Sequence, residues 1–176
     1  MCENDAEIGK IIESLRQPGG SYSVSRAEIF SCAGSFERLV KILWWGYPSG
    51  MRARFDSVIA HSRQIAETIA PYCGKTLDEM TFINLYNQLN TFEGMGQSTI
   101  SKLLYFFEIS IGANKTVIID SRVMGSMSYF DDFEPRIPGP ESLRYLGQDR
   151  QINQVASAMD VAPEKVEYFL FNCGRN

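Results

Sequence analysis

The chain is poor in metal-ligating side chains. His61 is the lone histidine, and the four cysteines (Cys2, Cys32, Cys73, Cys173) stand far apart with no C-x-x-C pair. Zinc sites and iron–sulfur clusters need ligands at short, regular intervals, so this spacing argues against both. Reduced, mostly buried thiols are expected instead. Long apolar runs are also missing. Nothing nears the ~20 residues of a membrane-spanning helix, and the polar start Met1-Cys2-Glu3-Asn4-Asp5 does not read as a secretory signal. A cytoplasmic protein with no membrane partner is expected. Basic charge is in short supply as well, with 17 Lys and Arg against 21 Asp and Glu. The resulting net charge of −4 weighs against a nucleic-acid partner, because phosphates reward cations. That objection concerns the average only. The acidic residues gather in 3–13, 78–79 and 131–134, which leaves the 52–63 and 97–102 stretches largely clear of them.

What the chain does have is helical spacing. At 176 residues it suffices for one domain covering 1–176. Alternation with a period of two is rare, whereas apolar residues recur at three and four in several segments. Ile8, Ile11, Ile12 and Leu15 make a short stripe ended by Gln17-Pro18-Gly19-Gly20. Ser25-Arg-Ala-Glu28 is a capping-box pattern, and the helix it opens carries Ile29, Phe36, Leu39, Val40 and Leu43 up to Gly46-Tyr47-Pro48. A second long helix is expected over about 49–70, stopped by Pro71 and Gly74. Thr76-Leu-Asp-Glu79 reads as another capping box, followed by a glycine turn and a helix over about 97–111. Residues 115–119 are apolar and β-branched, which suits either a strand or an extended connector; the connector is preferred. Helices over about 121–130, 141–159 (with a break near Gly147) and 163–172 complete an all-α reading, with an irregular Pro-rich loop at 133–140.

Two helices joined by Gly94-Met95-Gly96 make a helix-hairpin-helix, spanning about 76–111. Glycines open backbone angles closed to other residues and let the main chain approach a surface. Unpaired N–H groups of the turn and of the next helix's first turn favour an anion, and a DNA phosphate is a suitable one, read without regard to sequence. A plain helix–helix connector with two convenient glycines remains the alternative. Downstream, in the segment 115–130, Val117-Ile118-Ile119 delivers Asp120 to the start of a helix. Such a carboxylate can stabilise an oxocarbenium-like sugar and orient a water at its anomeric carbon; equally, it can be a helix cap without chemistry.

Gly94-Met-Gly96-Gln-Ser98-Thr99, followed by Ile118-Ile119-Asp120-Ser121-Arg122-Val123, resembles the helix-hairpin-helix/Gly-Pro-Asp superfamily of DNA glycosylases, with its L-P-G-V-G-x-[K/S]-T-A and later V-D-x-x-V. Trp45-Gly46-Tyr47-Pro48-Ser49-Gly50-Met51-Arg52 is similar to a segment of small prokaryotic 8-oxoguanine DNA glycosylase (OGG) fold proteins, a group with relatives that excise hypermodified cytosine in anti-phage defence. The likeness covers about 45–123 and extends only loosely into the last third. It departs at Phe92-Glu93, where relatives have Leu-Pro, and in a longer spacing from hairpin to Asp120.

The resemblance implies a compact, all-α, monomeric glycosylase. Its substrate would be double-stranded DNA carrying a modified base, either 8-oxoguanine or a phage-type hypermodified cytosine. Asp120 would be the main catalytic residue. Gly94, Met95, Gly96, Gln97, Ser98 and Thr99 would grip the backbone, joined by Arg52 and Arg122. Ser98 stands where bifunctional relatives carry a Schiff-base lysine, which implies a monofunctional enzyme that leaves an abasic site. Lys102, one helical turn on, is an alternative nucleophile, phosphate partner or solvated side chain. Trp45, Tyr47, Tyr168 and Phe169 are candidates to stack on an extruded base, with core packing as the plainer reading. No metal or organic cofactor is expected in the chemistry, although the hairpin carbonyls leave room for a structural monovalent cation. The rival class is a non-catalytic hairpin module that senses distorted duplex.

Overall fold

The computed structural model describes residues 3–47, 55–134 and 137–174. Among them ten α-helices dominate, and the sheet has three strands of two residues each, so the all-α expectation holds. α1 (Glu3–Glu13) packs on a later helix through Ile8, with Leu15 buried just past its end. The capping box at Ser25 is present: Ser25 Oγ accepts from the Glu28 N–H at 3.2 Å, and the Glu28 carboxylate accepts from the Ser25 N–H at 2.7 Å.

The helix it opens, α2 (Arg26–Phe30), is much shorter than its spacing implies, and α3 (Ser35–Gly46) starts afresh. Buried Arg38 supplies the reason. Its Nη2 donates to the carbonyls of Phe30 and Cys32 at 3.3 and 2.6 Å, so those acceptors serve a side chain rather than the N–H groups of a continuous helix. The long helix expected next is likewise two, α4 (Phe55–Ala60) and α5 (Ser62–Ile69), broken at His61, whose Nδ1 pairs with the Ser57 carbonyl at 2.8 Å. His61 is structural in this setting.

Thr76–Leu77 forms β1 rather than a cap, and Asp78 instead caps α6 (Glu79–Asn90) by accepting from the Thr81 N–H at 2.8 Å. α7 (Gln97–Phe106) stops short of Ile111, because Glu108 takes a left-handed φ of 55° and the chain turns into β2 (Ser110–Ile111) and β3 (Asn114–Lys115). β1 pairs parallel to β2 (Thr76 opposite Ser110), and β2 antiparallel to β3 (Ser110 opposite Lys115). This patch ties the start of α6 to the end of α7 and fixes the hairpin between them.

Of the connector expected over 115–119, Lys115 instead ends β3, while 116–119 form no strand and lead into α8 (Ser121–Met127). α9 (Glu141–Ala158) runs unbroken through Gly147. The glycine serves close approach rather than a break, since a Cβ there would stand 2.4 Å from Ile137 Cδ1. α10 (Pro163–Cys173) opens with proline in its first turn and packs on α8 and α9. Of the described cysteines only Cys32 is buried; Cys73 is exposed and Cys173 intermediate. The expectation of mostly buried thiols therefore fails.

The core that matters for function is the clamp on the connector. Tyr145 of α9 stacks with Phe82 and Tyr86 of α6 at 5.7 and 5.9 Å, and its hydroxyl donates to the Val117 carbonyl at 3.0 Å. Asp149, one turn on, accepts from the Val117 N–H at 3.2 Å. Ser101 Oγ on α7 accepts from the Ile119 N–H at 3.1 Å. Two helices thus hold both faces of the strandless segment that ends at Asp120.

Asp149 makes this clamp sensitive to pH. Burial pushes its carboxyl up to about 7, against the opposing hydrogen bond from the Val117 N–H. The folded protein therefore keeps a proton that the unfolded chain gives up near pH 4, and stability from this group is full below about 4 and lost as pH rises through 7. Asp149→Asn retains an acceptor for Val117 and removes the titration. Urea unfolding is expected to show the variant gaining on wild type as pH rises from about 4 to 7, by up to ~1.4 kcal/mol per pH unit. A difference between the two proteins that stays constant with pH would rule the assignment out.

Candidate active site

A cleft of about 1000 Å³ opens between the end of α3, α7, the head of α8 and α10, with Arg26 of α2 at one edge. Four sequence candidates meet in it: Ser98, Lys102, Asp120 and Arg122. Trp45, Tyr47 and Tyr168 also line it. Phe169 does not; it is exposed and packs against Phe130 at 5.6 Å. Arg52 lies outside the described residues. A smaller hollow of about 480 Å³ behind α8 shares Ser121 and Arg122 but neither Lys102 nor Asp120.

Lys102 is the least expected element. It is only 5% exposed, although a lysine at the centre of a helix ordinarily reaches solvent. Its Nζ donates to Ser98 Oγ at 2.7 Å and to the Ser98 carbonyl at 3.1 Å, and lies 5.0 Å from the centroid of the Tyr47 ring. The stem runs past Gly46, where a Cβ would stand 2.8 Å from Lys102 Cδ. A Cβ at that helix end would push the lysine stem off its present path. Tyr47 is held in turn by a 2.5 Å hydrogen bond between its hydroxyl and Thr99 Oγ1. Burial lowers the ammonium to about 8, with the negative charges of Asp120 and Glu167 pulling the other way. An appreciable fraction of the amine is therefore neutral, and nucleophilic, close to physiological pH.

Asp120 is the N-cap of α8. One carboxylate oxygen, Oδ1, accepts from the N–H groups of Arg122 and Val123 at 2.9 and 3.0 Å. The cap role and a place in the cleft are both realised, so the two sequence readings are not exclusive. Arg122 lies over the Phe171 ring at 5.1 Å, on the rim.

The hairpin is more occupied than its sequence implies. Gly94 does adopt a left-handed φ of 90°, but Gly96 has φ −90°, open to any residue, with nothing within 4 Å of where a Cβ would be. The side chains of Met95, Gln97 and Thr99 are buried; Gln97 Nε2 donates to Gln148 Oε1 at 2.6 Å. The Gln97 N–H, expected to be free for an anion, already donates to the Glu141 carboxylate at 3.2 Å.

Among the charged cleft residues, Arg26, Glu164, Lys165 and Glu167 escaped the sequence reading, and Arg26 and Glu167 form a pair. Arg26 lies between the rings of Trp45 and Tyr105, 5.2 and 5.3 Å from their centroids, and its Nη1 donates to the Tyr105 hydroxyl at 3.3 Å. Glu167 is 2% exposed, its Oε2 is 3.6 Å from Arg26 Nη2, and that oxygen accepts no hydrogen bond. The readable signal was a glutamate on an apolar face, beside Val166 and one turn before Leu170.

A buried amine, a capped carboxylate and aromatic walls in one cleft match what base excision needs. The family model described as "Putative 8-oxoguanine DNA glycosylase OGG-like protein" matches residues 5–171. The chain belongs to this family. The match reaches well beyond residues 45–123 and takes in α9 and α10, where the resemblance was loose. Membership in the OGG-like family supports DNA glycosylase activity in repair, with DNA as the substrate. No curated protein and no solved structure matches the chain.

Proposed function

We propose that this OGG-like protein extrudes a modified nucleotide from duplex DNA into the Lys102–Asp120 cleft and breaks its N-glycosidic bond. The observation that carries the reading is the buried Lys102 amine, lowered to about 8 and held by Ser98 beside Asp120's end of the cleft. The neutral amine attacks C1′ of the sugar, and the electron pair of the C1′–N bond leaves with the base. Asp120 stabilises the positive charge that develops on the sugar. Breaking of the C1′–O4′ bond, with a proton passing from the lysine nitrogen to O4′, then turns this adduct into an imine, which supports β-elimination of the 3′ phosphate and makes the enzyme bifunctional. Ser98 takes no bond in this scheme and orients the amine. A monofunctional route, with Asp120 orienting a water, draws its support from Ser98 standing where bifunctional relatives have lysine.

Trp45, Tyr47 and Tyr168 supply faces for stacking on the base. Main-chain N–H groups at the hairpin, with Arg122, and Arg52 from beyond the described residues, meet the phosphates. The proposed substrate is double-stranded DNA carrying 8-oxoguanine or a phage-type hypermodified cytosine, the latter placing a monomeric, cytoplasmic enzyme in antiviral defence. The chemistry draws on these side chains without a cofactor.

The test is base release read by mass spectrometry from duplexes carrying 8-oxoguanine, uracil, alkylated purines or glucosylated hydroxymethylcytosine, with borohydride trapping of abasic duplex in parallel. Base release together with trapped protein–DNA adduct is the expected result. Release without adduct selects the monofunctional route. Duplex binding with neither leaves the non-catalytic hairpin module.

A further inference from the structure

Beyond the amine and Asp120, the cleft holds a third ionisable group that the proposed reaction does not yet use. Glu167 of α10 lines the same cleft, almost wholly buried, and its Oε2 pairs with Arg26 Nη2 at 3.6 Å, beyond the reach of a close hydrogen bond. A carboxyl held by one long ion pair in a substrate cleft can exchange its proton with a group that enters beside it. We infer that Glu167 is the general acid that protonates the departing base, an assignment that rests on the glycosylase reading above.

The surroundings suit that role. Burial pushes the Glu167 carboxyl up to about 7, with Arg26 drawing it down and the charges of Asp120 and Glu164 pushing it further up. Lys102 lies across the cleft, and Arg122 and Lys165 also line it. Asp120, Glu164 and Glu167 all line this space, and the first and last of them sit in different environments. Asp120 is bound to two main-chain N–H groups, whereas Glu167 is buried with Arg26 3.6 Å from its Oε2. Such a division separates the group that stabilises positive charge from the group that holds a proton.

The step balances without another reactant. The Lys102 amine forms its bond to C1′ as the C1′–N bond breaks, and the electron pair passes to the base. The Glu167 O–H proton transfers to that base, which leaves neutral, with a protonated aminal joining Lys102 to C1′ and a carboxylate on Glu167; the ammonium proton then passes to O4′ as the C1′–O4′ bond breaks, which opens the sugar to the iminium. Arg26, 3.6 Å from Oε2, is placed to receive that new negative charge.

An abasic duplex has no base to protonate, and this separates the acid from the nucleophile. Single-turnover base release and borohydride trapping of abasic duplex are measured for wild type, Glu167→Gln and Glu167→Ala, using whichever duplex of the panel yields base. Release is expected to slow about 10²-fold or more in both variants, while trapping stays within about twofold. The pH profile of wild-type release should rise and then fall around pH 7 to 8, and Glu167→Gln should lose the falling limb alone. Release at the wild-type rate in Glu167→Gln, or an equal loss in both assays, overturns the acid assignment. A wild type that traps abasic DNA but releases no base from any duplex also overturns it. A wild type silent in both assays overturns the glycosylase reading itself.

Discussion

Lys102→Gln should abolish borohydride-trapped adduct on abasic duplex, a loss of at least about 10³-fold relative to wild type, because the substitution removes the buried amine proposed to form the imine. Lys102→Arg should fail equally, since a guanidinium keeps the charge but is not a nucleophile at neutral pH. Both variants should fold, as the site asks them to bury a stem of similar length past Gly46, and circular dichroism would check this. The pH dependence sharpens the expectation. A lysine that titrates at about 8 reacts through its neutral form, so trapping should rise about tenfold per pH unit below 8 and level off above it. An ordinary lysine would keep rising past pH 10. Full trapping by Lys102→Gln would move the imine to another amine and remove the main support for a bifunctional enzyme.

Asp120→Asn is the second large effect. The amide oxygen can still accept from the Arg122 and Val123 N–H groups, and asparagine caps a helix about as well as aspartate, so stability should change by only a few tenths of a kcal/mol. Base release, in contrast, should fall by about 10² to 10³-fold, because the negative charge facing the developing sugar cation is gone. Asp120→Ala should lose the same activity and about 1 kcal/mol of stability besides, since the cap goes with the charge. Thermal unfolding and single-turnover release, run on the same preparations, separate the two contributions. Unchanged release in Asp120→Asn would reduce Asp120 to a cap and shift the reading to the non-catalytic hairpin module.

How much of this site was legible in the chain varies residue by residue. Asp120 was readable because three apolar residues precede it and a helix follows, and local order of that kind fixes where a side chain is presented. Gly94 was readable because its turn needs a positive φ. Gly96 was overread, since its backbone angles suit any residue. The vacant anion site at the start of α7 was also overread. Glu141, distant in sequence, brings its own carboxylate to the Gln97 N–H, and no local pattern announces that.

The helix boundaries divide along the same line. α10 kept its expected extent because its signals are its own, a proline in the first turn and an apolar face along its length. The expected helix from Ser25 to Gly46 came apart because Arg38 folds back onto the carbonyls of Phe30 and Cys32. The break is made by a side-chain contact that spacing rules do not contain.

From composition, periodicity and the Gly94–Gly96 and Asp120 motifs, the chain's helical class, its hairpin and its acidic candidate follow directly, because each depends on neighbours within a few residues. The state of Lys102 does not. A helical lysine reads as a solvated charge until α3 ends at Gly46 and Tyr47, closes over it, and strips its water. Glu167 and Arg26 likewise acquire meaning only when α10 and α2 are laid beside α7. Burial is a property of the assembled helices, and it is burial that turns an ordinary lysine and an ordinary glutamate into groups that exchange protons near neutral pH.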